Sequence, residues 1–281
     1  MATPIDPTAT GFLLAENRNM PMHVGGLQLF EKPEGAGRGY VREMYEQMRD
    51  VEQVAPLFIK HPHRSARTAG QLVWVPDEQF DIEHHVRHSA LPKPGRIREL
   101  LELCSRLHST RLAWERPLWE AHVIEGLRDG RVAMYTKTHH ALVDGYTGIR
   151  LLSRSLSDDA KERDKPMFFA LKPSAREPKA AGGAPTLEHL LSLVRQQAGT
   201  TRNITRALTH TLSRKRGALI APMQAPKSIL NGRISRNRRF ATQQFGVERL
   251  KKVAHRHDGT LNDLVLALCG GALSSRLLAR G

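Results

Sequence analysis

Hydrophobic residues along the first part of the chain alternate between strand and helix spacings. Residues 24–31 form a short strand pattern, and apolar residues then recur every three or four positions from Val41 to Val51, which predicts a helix. Residues 71–75 form another candidate strand. A longer helical pattern follows, with one face made by Ile97, Leu100, Leu101, Cys104, Leu107 and His108. This succession predicts a mixed α/β fold.

Two further strands and a helix are predicted around residues 119–156. Residues 119–124 and 132–140 have strand patterns, and Asp129-Gly130 between them is typical of a hairpin turn, so the two strands should pair antiparallel. From Asp144 the spacing becomes helical, and Asp144 occupies the N-cap position. A strand, a tight turn and a helix are therefore expected to meet at residues 139–145.

The composition changes after residue 160. Residues 161–185 are rich in Pro, Lys, Ala and Gly, which indicates a linker. We therefore predict an N-terminal domain at 1–160, a linker with a basic amphipathic helix at 161–225, and the start of a second domain at 226–281. The basic helix, over 187–216, fits either a lipid surface or a solvated linker face. The second domain has an alternating strand at 240–245 and an apolar helix capped by Thr260 or Asn262, and its few elements predict that it is incomplete.

Charge is distributed unevenly between the two halves. The 281 residues carry a formal net charge of +15, yet residues 1–160 have 20 basic and 21 acidic side chains, whereas residues 161–281 have 23 and 7. A basic half implies an anionic partner, either nucleic acid, an anionic lipid surface or a polyphosphate ligand. Three scattered tryptophans, Trp74, Trp114 and Trp119, do not form a base-stacking platform. The overall composition excludes collagen, coiled coil and disorder throughout.

The two cysteines, Cys104 and Cys269, exclude a disulfide framework and a zinc ribbon because neither has a CxxC partner. This usage fits a reducing, cytoplasmic setting. Cys104 lies on an apolar helix face and is predicted to be a core residue, since a reactive thiol needs a polar, electropositive environment. No signal-peptide pattern and no uninterrupted apolar run of about 18 residues occurs, so the chain is predicted not to cross a membrane.

The segment Lys137–Gly148 has the strongest chemical pattern. Side chains alternate along a strand, so His139 and His140 are expected on opposite faces. Three interpretations follow: a metal site made by both histidines and Asp144, which the diverging side chains disfavour; two structural histidines with a capping aspartate; or His140 as a general base, with Gly145 leaving room for a substrate. Spacing alone does not decide among them. The histidines at 61–63 and 84–88 lack supporting metal ligands.

The pattern His-His-x-x-x-Asp-Gly at 139–145 resembles the active-site motif of the CoA-dependent acyltransferase superfamily. Further segments, in the same order, resemble the bacterial wax ester synthase / diacylglycerol acyltransferase family: residues 21–26, 80–95, 117–120, 237–241 and 262–263. The resemblance covers nearly the whole chain, with Ala9 where family members commonly have Asp. It implies a two-domain, chloramphenicol-acetyltransferase-like α/β fold with a complete N-terminal domain and a truncated second domain. Each domain is expected to have one mostly antiparallel or mixed sheet covered by helices.

The resemblance also implies an activity, the transfer of a fatty acyl group from acyl-CoA to diacylglycerol or a long-chain alcohol. His140 would deprotonate the acceptor hydroxyl, and no acyl-enzyme would form. Residues with supporting roles are His139, Asp144 and Gly145 in the motif, Pro117, Leu118 and Trp119 beside the site, and Asn262 and Asp263 as a structural helix cap. Neither a metal nor a cofactor is expected, since acyl-CoA is a substrate.

The expected partners are acyl-CoA, the acceptor, and an anionic membrane or lipid-droplet surface, with a peripheral location in the cytoplasm and no nucleic acid. Alternatives remain open at this point. A catalytically incomplete chain would act as a lipid-surface binding protein, and residues 228–240 could bind nucleic acid. Condensation of carrier-bound acyl groups with amines shares the histidine motif.

Overall fold

The computed structural model describes residues 2–64, 70–159, 162, 165–171, 229, 232 and 234–279. The chain forms two compact units, one from Met1–Pro173 with Ile234–Gln244 and one from Ser174–Arg233 with Phe245–Gly281. The basic amphipathic helix expected at 187–216, and most of the expected linker at 161–225, lie outside the described residues.

The first unit combines helices with two sheets, which confirms the α/β class. Its helices are α1 (Pro7–Ala15), α2 (Tyr40–Arg49), α3 (Ile82–His85), α4 (Ile97–Ser109) and α5 (Gly145–Arg154), with a 3-10 turn at Pro56–Ile59. Its strands are β1 (Thr3–Pro4), β2 (His23–Phe30), β3 (Lys60–Arg64), β4 (Leu72–Pro76), β5 (Val86–Ala90), β6 (Trp119–Glu125) and β7 (Val132–His139).

The prediction of one sheet per domain is wrong for this unit. Its described strands form a three-stranded sheet, in the order β1-β4-β3, and a four-stranded sheet, in the order β2-β7-β6-β5. Strand β4 pairs antiparallel with β1 on one edge and β3 on the other, so it has no free edge with which to join the larger sheet. The larger sheet is mixed, because β5 runs parallel to β6 while β2, β7 and β6 are antiparallel neighbours.

The hairpin β6–β7 is confirmed with its predicted turn. Trp119 is opposite Thr138, and Ala121 is opposite Thr136. Gly130 adopts a φ of 79°, which costs little only for glycine, and its amide donates to the Leu127 carbonyl at 3.0 Å. On the other side of β7, β2 places His23 opposite His139. Strand β7, which carries the histidine motif, is therefore an interior strand.

Two hydrophobic clusters pack against the larger sheet. One contains Leu100 and Cys104 of α4 with Ile124 and Tyr135 of the hairpin. Cys104 is completely buried there, and burial raises the pKa of its thiol to about 12, which confirms the prediction of a core cysteine. The other cluster includes Phe169, which stacks on Trp119 with ring centroids 4.9 Å apart, so residues assigned by sequence to the linker belong to this core.

The described part of the second unit includes α6 (Val247–Arg256) and α7 (Leu261–Leu278). Thr260 caps α7, since its Oγ1 accepts from the Asp263 amide at 3.2 Å, and the Asp263 carboxylate accepts from the Thr260 amide at 2.8 Å. Capping by Asp263 is thus confirmed, while Asn262 lies inside the first turn.

The strand predicted at 240–245 is wrong, because the segment pairs with no described strand. The Phe240 amide instead donates to Ser105 Oγ of α4 at 2.9 Å.

Helix α7 is long and apolar enough, by length and composition, to span a membrane, and it is the one such helix among the described residues. Core helices of soluble proteins meet the same criterion.

Candidate active site

The histidine motif is held on both sides by backbone hydrogen bonds at the end of β7. The His139 amide donates to the Leu118 carbonyl at 3.0 Å, and the His140 amide donates to the Met22 carbonyl at 2.9 Å. These two acceptors belong to the segments that lead into β6 and β2, the neighbours of β7 in the sheet. Pairing on both edges gives the motif a defined backbone position.

His139 is completely buried and faces an acidic group. Its Nδ1 accepts from the Ala141 amide at 3.0 Å, which assigns the proton of the neutral ring to Nε2. That Nε2 lies 3.6 Å from Oε1 of Glu16. The His139 ring is sealed from solvent, and both of its nitrogens face protein atoms.

Glu16 organises this buried side of the motif. Its carboxylate accepts from Trp114 Nε1 at 2.9 Å and from the Met22 amide at 3.2 Å, and it lies 3.2 Å from Nη2 of Arg111. Burial alone raises the pKa of Glu16, but the contacts with His139, Trp114 and the Met22 amide outweigh it and lower the pKa to about 2. Sequence reasoning missed Glu16, since a single glutamate after a helix has no local signal.

His140 is half-buried and stacks on Phe12, with ring centroids 4.8 Å apart and planes 14° apart. Strand β7 ends at His139, so His140 already belongs to the turn that follows. The His140 ring contacts Phe12 of α1, and the His139 ring lies beside Glu16, one helical turn further along the chain. Among the described residues no group hydrogen-bonds to the His140 ring.

Asp144 and Gly145 begin α5 directly after this turn. The Asp144 carboxylate accepts from the Thr147 amide at 2.7 Å, which confirms the predicted N-cap, and this hydrogen bond lowers its pKa. At Gly145 a β-carbon would meet no other atom within 4 Å. The motif therefore opens onto free space at the start of α5.

A mostly apolar cavity of about 280 Å³ borders this opening. Strands β2 and β7 and helix α5 form its walls, and residues that line it include Thr138, Val143, Asp144, Gly145, Ile149 and Phe168. Apolar walls with few polar groups are typical of sites for hydrophobic ligands. The cavity has room for part of an alkyl chain beside Asp144 and Gly145, whereas neither His139 nor His140 is among its lining residues.

The segment Pro117–Trp119 leads into β6 and lies beside the motif. The Leu118 carbonyl is the acceptor for His139, and the Pro117 carbonyl accepts from the Trp119 amide at 2.9 Å. Trp119 is completely buried, donates from Nε1 to the Phe58 carbonyl at 2.8 Å, and stacks on His85 with centroids 4.7 Å apart. These contacts fix the start of β6, which is the strand next to the end of β7. The segment therefore holds the backbone of the motif from the β6 side.

The protein is expected to lose stability as the pH falls from about 6.5 to 4, in part because of His85. Its ring is buried between Phe80 and Trp119, and burial lowers its pKa to about 4 although it hydrogen-bonds to the Trp119 carbonyl. The unfolded chain binds the proton more readily than the folded chain does. The free energy of unfolding therefore falls by up to about 1.4 kcal/mol for each pH unit in this window. Urea unfolding at pH 7 and pH 4.5 measures the effect.

The matched control replaces an exposed histidine. His85→Gln, which keeps a donor for the Trp119 carbonyl, should weaken the dependence of the unfolding midpoint on pH, whereas His63→Gln should leave it as in the wild type. Equal pH slopes for the two variants would show that His85 does not titrate as inferred.

The structure thus brings most of the predicted site residues together. His139, His140, Asp144 and Gly145 lie within residues 139–145, between the end of β7 and the start of α5. Pro117, Leu118 and Trp119 lie beside them at the start of β6. Asn262 and Asp263 belong to α7 in the other unit. No group of three or more His, Cys, Asp or Glu side chains in the described ranges is arranged to hold a metal ion.

Residues 5–265 match the family model of the wax ester synthase/diacylglycerol acyltransferase catalytic domain. The chain belongs to this family. It is 42% identical, over 98% of its length, to a protein from Mycobacterium tuberculosis named probable diacylglycerol O-acyltransferase. It is 40% identical, again over 98% of its length, to the O-acyltransferase WSD of Acinetobacter baylyi. In each case the chain spans 60% of the relative's length.

The fold agrees with a solved member of the family. The wax ester synthase/diacylglycerol acyltransferase from Marinobacter aquaeolei VT8 superposes with a TM-score of 0.74 and 39% sequence identity, over 99% of this chain and 61% of that structure. The expected family and fold class are therefore both confirmed.

Proposed function

We propose that the protein transfers a fatty acyl group from acyl-CoA to diacylglycerol or a long-chain alcohol, giving triacylglycerol or wax ester. Membership of the family supports acyl transfer of this kind. The observation that carries the proposal is the apolar cavity that borders Asp144 and Gly145 of the histidine motif. A hydrophobic chain in this cavity would lie next to Asp144 and Gly145 at the start of α5.

His140 is proposed as the general base, and the contacts of the two histidines support that choice. His139 is completely buried and directed at Ala141 and Glu16, whereas His140 is half-buried with ring nitrogens that no described group binds. Stacking on Phe12 sets the plane of the His140 ring. A neutral imidazole can accept a proton at neutral pH, which suits a histidine to the role of general base.

The proposed reaction is a direct transfer with balanced proton movement. His140 takes the proton from the acceptor hydroxyl as the hydroxyl oxygen attacks the thioester carbonyl. The carbon–sulfur bond then breaks, the ester is released, and the CoA sulfur leaves with the proton returned by the imidazolium. No cofactor is required, because the thioester itself supplies the activated acyl group.

The substrates imply a setting at a lipid surface. Diacylglycerol and long-chain alcohols reside in membranes or lipid droplets, so the protein is proposed to work in the cytoplasm, bound peripherally to an anionic surface. The excess of basic side chains in residues 161–281 supports attraction to such a surface.

Ester formation from palmitoyl-CoA tests the proposal. The 281-residue chain is incubated with palmitoyl-CoA and either hexadecanol or dipalmitoylglycerol, and both free CoA thiol and the ester product are measured. We expect both products to accumulate together. Preference for hexadecylamine as acceptor would favour the amide-forming class instead, and binding to anionic vesicles without any turnover would favour a lipid-surface binding protein.

A further inference from the structure

A second, strongly basic pocket lies at the C-terminal end of α4, within the first unit. Its volume is about 760 Å³. Its charged lining residues are one glutamate, Glu102, and six arginines. The arginines are Arg18, Arg106, Arg111, Arg236, Arg238 and Arg239. Glu102 lies 2.9 Å from Arg98 on the same helix, so it is already paired outside this group.

The pocket is assembled from segments far apart in the sequence. Residues 236–239 are attached to α4 by two serines, with the Arg238 amide donating to Ser109 Oγ and the Phe240 amide donating to Ser105 Oγ, each at 2.9 Å. Both serine hydroxyls donate in turn to α4 carbonyls at 2.6 Å, which directs their oxygens to accept. Specific hydrogen bonds thus bring the arginines together.

Two of the arginines have structural partners. The Arg238 guanidinium donates to the carbonyls of Asn19 and Ser235, and Arg111 is 3.2 Å from the Glu16 carboxylate. The remaining four, Arg18, Arg106, Arg236 and Arg239, have no acidic partner among the described residues. Convergence of like charges raises the free energy of the folded protein unless an anion neutralises them. One guanidinium group can donate two parallel hydrogen bonds to two oxygens of the same phosphate. A phosphate is therefore the anion that these arginines suit best.

We propose that this pocket binds phosphate groups, and that its occupant is the nucleotide end of the acyl-CoA donor. The inference rests on the proposed function for the choice of CoA, whereas the arginine cluster itself supports a phosphate ligand. Arg111 connects the pocket to the motif, because Glu16 contacts both Arg111 and His139. The pantetheine arm of CoA separates its phosphates from the thioester, so a phosphate site need not adjoin His140.

Calorimetric titration of the 281-residue chain with CoA, 3′-dephospho-CoA and pantetheine tests the site. The variant is R106A/R239A, which removes two arginines without described partners, and the control is R42A, an exposed arginine on α2. The double variant should bind CoA about 10-fold more weakly, and the wild type should bind 3′-dephospho-CoA more weakly than CoA. The R42A control should bind CoA as the wild type does. Equal CoA affinities for wild type and double variant would overturn the proposal, as would pantetheine binding as tightly as CoA.

Lipid headgroups carry the same phosphate chemistry, so a second arm uses phosphatidylcholine vesicles with and without phosphatidic acid. Loss of phosphatidic acid binding in R106A/R239A, with CoA affinity intact, would assign the pocket to lipid and overturn the CoA assignment.

A third arm separates this inference from the proposed function. If the wild type forms no ester while the double variant still loses CoA affinity, the function fails and the phosphate site stands. If ester forms with an unchanged KM for palmitoyl-CoA in the double variant, the function stands and the site fails.

Discussion

Replacing His140 by alanine is expected to lower the rate of ester formation by about 100-fold or more. The imidazole is the group proposed to take the acceptor proton, and loss of a general base typically costs a factor of 10² to 10⁴, roughly. The ring contacts Phe12 from a half-buried position, so its removal should leave the fold in place. Initial rates of CoA release with palmitoyl-CoA and hexadecanol measure the effect.

The matched control is His63→Ala, which removes an exposed histidine on β3 and should keep the wild-type rate. Melting temperatures of both variants separate lost chemistry from lost folding. A further variant, His139→Ala, should lower the melting temperature, because it empties a completely buried position beside the Glu16 carboxylate. A His140→Ala protein that is folded and retains the wild-type rate would show that the base lies elsewhere.

Replacing Lys137 by methionine is expected to lower the free energy of unfolding by about 3–5 kcal/mol. The Lys137 side chain is only 1% exposed, yet its Nζ donates to the carbonyls of Leu107 and Thr110, each at 3.0 Å, and lies 3.0 Å from Oε2 of Glu120. Burial lowers the pKa of Lys137, and the adjacent carboxylate opposes that shift. Methionine fills the same volume but leaves two carbonyls and one carboxylate without this partner.

The size of the effect depends on Glu120, which the hairpin holds beside Lys137. Burial raises the pKa of Glu120, but His122 and Lys137 outweigh it and lower the pKa to about 2, so the carboxylate is charged. In the double variant Lys137→Met/Glu120→Gln the uncompensated charge is gone, and part of the lost stability should return. Lys93→Met, in an exposed loop, is the control. Urea unfolding of the wild type and the three variants gives their free energies of unfolding. A loss below about 1 kcal/mol for Lys137→Met would mean that the buried pair does not hold α4 to the sheet.

Local patterns predicted those parts of the fold whose stabilising contacts are near in sequence. The β6–β7 hairpin follows from alternation around Asp129-Gly130, and α4 follows from one apolar face that includes Cys104. The Asp144 cap depends on an amide three residues away. Each of these was predicted correctly, because the residue types that form the contact lie within one turn or one hairpin of each other.

The elements that were missed depend on partners elsewhere in the chain. Strand β3, Lys60–Arg64, has little hydrophobic alternation and exists because β4 pairs with it. The opposite error occurred at residues 240–245, where alternation predicted a strand but α4 supplies the hydrogen-bonding partner at Phe240. A pattern of period two therefore indicates a strand only when a free strand edge is available.

The sequence by itself determined the family, the α/β class and the histidine motif, since these depend on residue types at fixed spacings. Only the tertiary structure decided which groups act on that motif. Glu16 lies beside His139, and Phe12 against His140, because α1 packs on the end of β7 across more than 100 positions of chain. The arginines near residues 106 and 236–239 likewise meet through hydrogen bonds to two serines of α4. Contacts between distant segments arise from packing and backbone pairing, and neither is encoded in local spacing.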